Sequence, residues 1–406
     1  MKNHFNRRKF LQLTGIAGSA ALLSGNSFSK PIATAAENEI GLSKWELETP
    51  SLCLDLDVLE KNLQNVHENL KGTGIGVRPH TKTHKCPALA KQQMAAGAVG
   101  VCTAKLSESE VMLENGISQV LMTGVNIGSS KIRRAMGLRK VHPGFIQAVD
   151  NKQNARDLQD AAKEAGIIAD VVVDLEVIRR SGVPTGLPAL ELAQLVDRSP
   201  NLRFRGILAY DGGAQHINGF QKRMDRTRQT FEPVVETYES MLNSGLNMEI
   251  FSGAGTGTYN MMGEIPGFTD VQVGSYLFMD TQYMAIGSES NENLYDDFDP
   301  ALTVLATVIN NNNPNRLVTD SGAKSLTINK PGGMVIGEPG FKYNAGSDEY
   351  GTITFESATK EYKTGDALEV IVPHCDPVVN LYDRIYGIRN EKVESILPVL
   401  ARGHSR

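Results

Sequence analysis

The run Gly76-Val77-Arg78-Pro79-His80-Thr81-Lys82-Thr83-His84-Lys85 begins as a short strand and ends as a basic cluster just ahead of the helical pattern that starts at Pro87. If the chain stays extended through it, alternate side chains share a face, so Arg78, His80, Lys82 and His84 point one way and Lys85 the other. Lys82 then stands just past the C-terminal end of the strand, where parallel barrels place their chemistry. A lysine in a desolvated or cation-rich setting keeps some neutral amine near pH 7 and can bond a carbonyl carbon. The same residues also read as a solvated basic loop, and the run alone leaves both readings standing.

Working outward, the strand-then-helix unit repeats. Strands are expected at Ser51–Leu56, Gly76–His80, Val99–Ala104, Gln119–Val125, Phe145–Val149, Asp170–Leu175, Arg205–Tyr210, Glu249–Ser252 and Val271–Phe278. Helical patterns lie between them at Leu59–Leu70, Pro87–Ala96, Ser107–Glu114 and Phe231–Asn243. At least eight such units in succession predict an α/β fold, a closed (β/α)8 barrel of TIM type over residues 45–295. After Asp299 the texture changes to strands at Ala301–Ile309, Arg316–Thr319, Gly351–Glu356 and Leu368–Val372, separated by turn clusters. A helical pattern returns only in the last residues. The expectation for 296–406 is a smaller antiparallel β domain that also takes in part of residues 36–55.

The 406 residues are 41% hydrophobic and 21% charged, with net charge −5 and no basic block beyond the extreme N-terminus. That excludes a nucleic-acid-binding surface of the usual basic kind. Cys53, Cys86, Cys102 and Cys375 show no CxxC pairing, which argues against a disulfide framework or zinc ribbon. Arg7-Arg8-Lys9-Phe10-Leu11, the small-residue and apolar run from Leu13 to Leu23 and Ala33-Thr34-Ala35 resemble a twin-arginine export signal over residues 1–35. The run is too short and too rich in Gly and Ser for a span of about 20 residues. The expectation is recognition by the twin-arginine export machinery and a periplasmic protein with no membrane span in its mature chain.

Three further motifs carry polar chemistry. Ser252-Gly253-Ala254-Gly255-Thr256-Gly257-Thr258-Tyr259 follows a strand and could present backbone N–H groups to a phosphate, or could be a plain turn. Arg179-Arg180-Ser181-Gly182-Val183 and Ala209-Tyr210-Asp211-Gly212-Gly213-Ala214-Gln215-His216 each follow a strand end. Arginine there could hold a ring oxygen or a carboxylate, or face solvent. In Pro373-His374-Cys375-Asp376-Pro377 an extended chain puts His374 and Asp376 on one face and Cys375 on the other. One imidazole and one carboxylate form a mixed N/O pair that suits Mn²⁺ or Mg²⁺ in preference to Zn²⁺.

Together these motifs resemble the alanine-racemase-type, fold-type-III pyridoxal enzymes that include D-threonine aldolase and D-serine dehydratase, over essentially all the chain from Thr49. The resemblance implies that Lys82 bonds pyridoxal 5'-phosphate. It implies that Gly255, Thr256 and Gly257 hold the phosphate, that Arg180 and Tyr210 contact the cofactor, and that His216 transfers a proton. It makes His374 and Asp376 the ligands of a divalent metal, in the His-x-Asp pattern of the D-threonine-aldolase-like members, whereas the zinc-dependent dehydratases carry cysteine at the third position. Tyr350 replaces a histidine common in relatives, and Asp211 replaces another. The resemblance also implies a homodimer.

The activity so implied is retro-aldol cleavage of a small-molecule β-hydroxy-D-amino acid, D-threonine yielding glycine and acetaldehyde. The alternative is β-elimination from D-serine or 3-hydroxyaspartate to a keto acid and ammonia. Racemisation and a non-catalytic pyridoxal phosphate carrier stand behind these.

Overall fold

In the computed structural model, which describes residues 37–406, strand β1 (Ser51–Asp55) runs straight into helix α1 (Leu56–Asn69). Asp55 caps that helix, its carboxylate accepting the Val58 N–H at 3.0 Å. Leu56, Leu59, Leu63 and Val66 recur at helical spacing and are the buried face. The leader expected over residues 1–35 lies outside the described residues.

The barrel follows as β2 (Gly76–Val77), α2 (Pro87–Ala95), β3 (Val101–Thr103), α3 (Leu106–Glu114), β4 (Val120–Val125), α4 (Ser129–Val141), β5 (Phe145–Val149) and α5 (Lys152–Ala165). It continues with β6 (Ala169–Asp174), α6 (Leu187–Asp197), β7 (Leu202–Ala209), α7 (Phe220–Asn243), β8 (Ile250–Gly253) and β9 (Asp270–Val271). The eight parallel strands are ordered β2-β9-β8-β7-β6-β5-β4-β3. The ends of that order meet: the Val99 N–H donates to Val77 O at 2.9 Å, the Cys102 N–H to Pro79 O at 2.7 Å, and His80 bridges Cys102. Arg78 and Asp270, buried on adjacent strands, add an ion pair of 2.9 Å at the β2–β9 seam. The expected closed (β/α)8 barrel is the observed one.

Cys102, Leu121, Ile146, Ala148, Val172, Leu208 and Ile250 fill the barrel interior. Each large aliphatic side chain buried there stabilises by about 1.5–3 kcal/mol relative to exposure. The barrel is therefore a packed core, and a ligand must sit on top of it. One glycine is required by the close packing of strands: the register slip between β6 and β7 falls at Gly206, φ 131°, where a Cβ would lie 1.9 Å from Ile250 O.

The second sheet is mostly antiparallel. Helix α8 (Thr281–Met284) leads to β10 (Leu302–Asn313), β11 (Arg316–Thr319), α9 (Ala323–Leu326), β12 (Met334–Val335), β13 (Lys342–Asn344), β14 (Gly351–Thr354), β15 (Ala367–Ile371), α10 (Cys375–Val379), β16 (Arg384–Arg389) and β17 (Lys392–Pro398). Its main path is β13-β14-β11-β10-β1-β16-β17, with β15 also on β10 and β12 on β15. Strand β1 lies between β10, to which it is antiparallel, and β16, to which it is parallel. Barrel and second sheet form one compact unit over Gly41–Arg406. Among the described residues no helix is long and apolar enough to cross a membrane.

Four local expectations need correction. The regular strand β2 is only Gly76–Val77. Backbone bonds carry on to His80, whose N–H donates to Val273 O at 2.8 Å, but Pro79 has no N–H to donate and Thr81–Thr83 turn into a 3-10 helix. The strand expected over Val271–Phe278 ends at Val271, and Ser275–Leu277 form another 3-10 turn. The helical pattern seen in the last residues is the β16–β17 hairpin, turned by Asn390 and Glu391, both at positive φ. Helix α7 starts at Phe220 rather than Phe231: the polar run before Phe231 hides a buried stripe that includes Arg223, Met224 and Thr227.

Candidate active site

The C-terminal ends of β2, β6, β7, β8 and β9 open on one cavity, and α10 closes it from the second sheet. Lys82, Arg180, Tyr210, His216, Gly255, Thr256, His374 and Asp376 all line it. Gly257 does not; its N–H is already bonded to Gln215 Oε1 at 3.0 Å.

Lys82 reaches the cavity from the 3-10 turn rather than from an extended strand. The alternation expected across the run therefore fails after His80. His84 turns into the core against Gln93, at 3.1 Å, and Lys85 pairs with Glu108, also at 3.1 Å. Lys82 Nζ lies 3.7 Å from Asp376 Oδ2 and 6.0 Å from the Tyr210 ring centre. Desolvation and the Arg180 charge pull its proton affinity down, but Asp376 and Tyr210 outweigh them and the amine is held above its ordinary pKa. The neutral amine expected from the sequence is therefore opposed by Asp376, a partner the run itself does not contain.

Beside Lys82, His80 accepts the Lys82 N–H on Nδ1 at 3.4 Å and meets the Thr123 hydroxyl through Nε2 at 3.4 Å. Burial, then the Lys82 and Arg180 charges, push its pKa well below the usual histidine value, so it is a neutral wall. Arg180 stacks on Tyr210 with 5.5 Å between guanidinium carbon and ring centre. Tyr210 is raised above an ordinary phenol, mainly by burial, and stays neutral.

At one end of the cavity the wall is backbone and hydroxyl. Gly255, Thr256, Gly274 and Ser275 line it together with Thr83, whose buried hydroxyl oxygen has no hydrogen-bond partner. A Cβ on Gly255 would lie 2.7 Å from Gln215 Oε1, and one on Gly274 would lie 2.4 Å from Thr83 Oγ1. Bare backbone plus an orphaned hydroxyl suits a phosphate monoester. With an amine at Lys82 and an arginine-stacked ring face at Tyr210, the residues present fit pyridoxal phosphate. Thr83, Gly274 and Ser275 were missed by the sequence reading. Thr83 sits inside the decisive run, and Gly274 follows a strand end as Gly255 does.

Another part of the wall carries a carboxylate and two imidazoles. His374 N-caps α10 and Asp376 lies in its first turn, so the pair is held by a helix start rather than by the extended chain expected. Cys375 does point away, donating its thiol to Met279 O at 3.3 Å. His374 Nδ1 is 3.0 Å from Asp280 Oδ2, which also accepts the Cys375 N–H at 3.0 Å. Asp280 Oδ1 accepts the Tyr283 N–H at 3.0 Å. Desolvation lowers the His374 pKa, yet the Asp280 hydrogen bond and the charges of Asp280 and Asp376 leave it raised. Asp376 Oδ1 is buried without a partner. Among the described residues no group of three or more His, Cys, Asp or Glu side chains converges as a complete cation cage. The pair nonetheless fits a cation that keeps water ligands. Asp280 would orient the His374 ring, leaving Nε2 to coordinate, and Asp376 Oδ1 is unclaimed.

His216 ends the 3-10 turn Ala214–His216, its ring 4.6 Å from Tyr283 and 6.4 Å from His374. Burial is the main cause of its lowered pKa, so it is neutral and able to accept a proton. Asp211 is buried and off the cavity wall, accepting from the Gly213 and Ala214 N–H groups and from Arg226. Tyr350 is 53% exposed and is not on the cavity wall.

The chain as a whole has relatives among known proteins. Residues 54–282 match the family model "Alanine racemase, N-terminal domain", and residues 301–388 match "Putative serine dehydratase domain". The chain is 35% identical over 366 residues to a 3-hydroxy-D-aspartate aldolase of Paracoccus denitrificans (strain Pd 1222), covering 89% of this chain and 94% of that protein. It is 34% identical over 364 residues to a D-threonine aldolase of an Arthrobacter species, with the same two coverages. The crystal structure of D-threonine aldolase from Filomicrobium marinum superposes with a TM-score of 0.86 at 34% identity, covering 90% of this chain and 99% of that one. By its barrel, its second sheet and these matches, the chain belongs to the alanine racemase N-terminal domain family, in the branch whose second domain is of the serine dehydratase type.

Proposed function

We propose that the protein is a carbon–carbon lyase of the D-threonine aldolase type, cleaving β-hydroxy-D-amino acids with pyridoxal phosphate and a divalent metal. The observation that carries this reading is Asp376 Oδ2 lying 3.7 Å from Lys82 Nζ, with His374 and His216 facing the same space. A cation at His374 and Asp376 and a substrate at Lys82 would be immediate neighbours.

Lys82 would hold the cofactor's aldehyde carbon, while Thr83 and the backbone of Gly255, Thr256, Gly274 and Ser275 grip its phosphate. Arg180 and Tyr210 fix its ring. Pyridoxal phosphate so held supplies an electron sink for the pair left on Cα when Cα–Cβ breaks. A divalent cation held by His374 and Asp376 supplies Lewis acidity toward a hydroxyl oxygen. His216, neutral and facing both, takes the β-hydroxyl proton as the aldehyde forms. The proton then passes from His216, directly or through water, to the pair on Cα, and glycine leaves.

The match of the second domain to a serine dehydratase model favours one competing reading, β-elimination to a keto acid and ammonia. Incubation with D-threonine and with 3-hydroxy-D-aspartate, with and without chelator, separates the two. Aldehyde plus glycine, lost on chelation, is expected. Keto acid without aldehyde would reject the aldolase reading.

A further inference from the structure

Arg223 is one of the largest fully buried side chains in the protein, and among the described residues it makes no ion pair. Its guanidinium donates to four loop carbonyls instead. Nε–H bonds Gly257 O at 2.9 Å, Nη1 bonds Ile217 O at 2.9 Å and Ile286 O at 2.6 Å, and Nη2 bonds Gly287 O at 2.6 Å. The ring of Tyr295 lies 5.6 Å from the guanidinium carbon, and its hydroxyl bonds Thr256 O at 2.5 Å.

The three loops so joined are not arbitrary. Gly257 directly follows Gly255 and Thr256 of the cavity wall, Ile217 directly follows His216, and Ile286–Gly287 follow α8, which carries Tyr283. Arg223 itself is absent from the cavity wall. A desolvated cation whose hydrogen bonds all go to carbonyls is costly to bury, and an apolar residue could fill the volume more cheaply. It would leave the carbonyls bonded by Arg223 without that donor. A lysine cannot replace the planar fork, because its three donors radiate from one point.

We propose that Arg223 is a positioning residue that locks the glycine loop, the His216 turn and the segment after α8 into one register. Phosphate grip and the placement of the proton acceptor thereby depend on one buried cation. The inference rests on the glycine loop being the phosphate site.

The test compares Arg223→Lys with wild type in affinity for pyridoxal phosphate and for pyridoxal, read by absorbance, and in kcat and KM for D-threonine cleavage. Affinity for pyridoxal phosphate is expected to fall about tenfold or more, that for pyridoxal to stay unchanged, and kcat to fall more than KM rises. Equal weakening toward both ligands would reveal general loosening and overturn the proposal, as would wild-type behaviour. Wild-type protein that binds both ligands equally would sink the phosphate-site reading, and this inference with it. If the variant does not fold, hydrogen exchange in wild type decides. Pyridoxal phosphate, but not pyridoxal, must slow exchange at 217–219 and 286–288 together with 255–258. Protection confined to 255–258 overturns the proposal.

Discussion

Replacing Asp280 by asparagine tests the metal reading without touching either proposed ligand. The Asp280 carboxylate is wholly buried and accepts three hydrogen bonds, from the Tyr283 N–H, the Cys375 N–H and His374 Nδ1. Asparagine keeps the shape but offers one acceptor oxygen and one NH₂. With the oxygen toward Tyr283, the NH₂ meets the Cys375 N–H donor to donor and can only donate to His374 Nδ1. The His374 proton then moves to Nε2, the nitrogen a cation would need. With the amide turned over, the Tyr283 N–H loses its acceptor. Either way at least one buried charge-assisted bond is lost, about 1.5–3 kcal/mol. Losing such a partner of a metal-binding histidine costs about 10–100-fold in metal affinity. The assay strips Asp280→Asn with chelator and titrates Mn²⁺ back while following aldehyde release. Half-saturating Mn²⁺ is expected to rise by that factor, with the cofactor's absorbance retained. A variant that loses activity while its Mn²⁺ dependence matches wild type would refute the reasoning.

Lys82→Ala is expected to lose the visible absorbance of covalently held cofactor and all aldehyde release, as spectrophotometry of protein purified with added pyridoxal phosphate would show. Asp270→Ala leaves Arg78 buried without its carboxylate at the barrel seam, and urea unfolding should show a loss of about 3–5 kcal/mol. Burial pushes the Asp174 carboxyl up to about 6 from 3.8, against the lowering pull of Arg180 and Ser181. The native state therefore holds this proton more tightly than the unfolded chain does. The resulting stability is fully present below about pH 4 and is lost as pH rises through about 6, roughly 3 kcal/mol in all. Asp174→Asn should flatten that part of the stability profile in unfolding of the cofactor-free protein. If residues 1–35 act as the twin-arginine signal they resemble, changing Arg7 and Arg8 to lysine should keep the protein in the cytoplasm, as fractionation would reveal.

The barrel was legible because its strands are short apolar runs cut by glycine-containing turns, as at Phe145–Val149, where expectation and structure coincide. Strand ends were less legible. Whether Arg78–His80 continue β2 depends on what Pro79 denies the ladder and on a turn that begins only at Thr81. Lys82 was found by its neighbours in sequence, and His374 and Asp376 by their spacing, although a helix start and not a strand presents them. Asp280 and Tyr283 could not be found that way. An aspartate ahead of a four-residue helix is an ordinary cap until the chain returns, almost a hundred residues later in sequence, to set His374 against it. Arg223 was hidden for a similar reason: in a polar helical stretch, an arginine reads as solvated unless the loops that close over it are known.

Strand β1 has a consequence for how the molecule is made. Both of its partners, β10 and β16, belong to the far end of the polypeptide, yet it emerges from the ribosome first. Until those partners arrive its hydrogen-bonding edges stay unpaired, and the intervening barrel must be synthesised meanwhile. The last strands therefore act as a completion check on the first. A chain cut short before Arg384 would keep every barrel strand and still expose the open flank of β1. Such a truncated product is expected to aggregate rather than to survive as an isolated barrel.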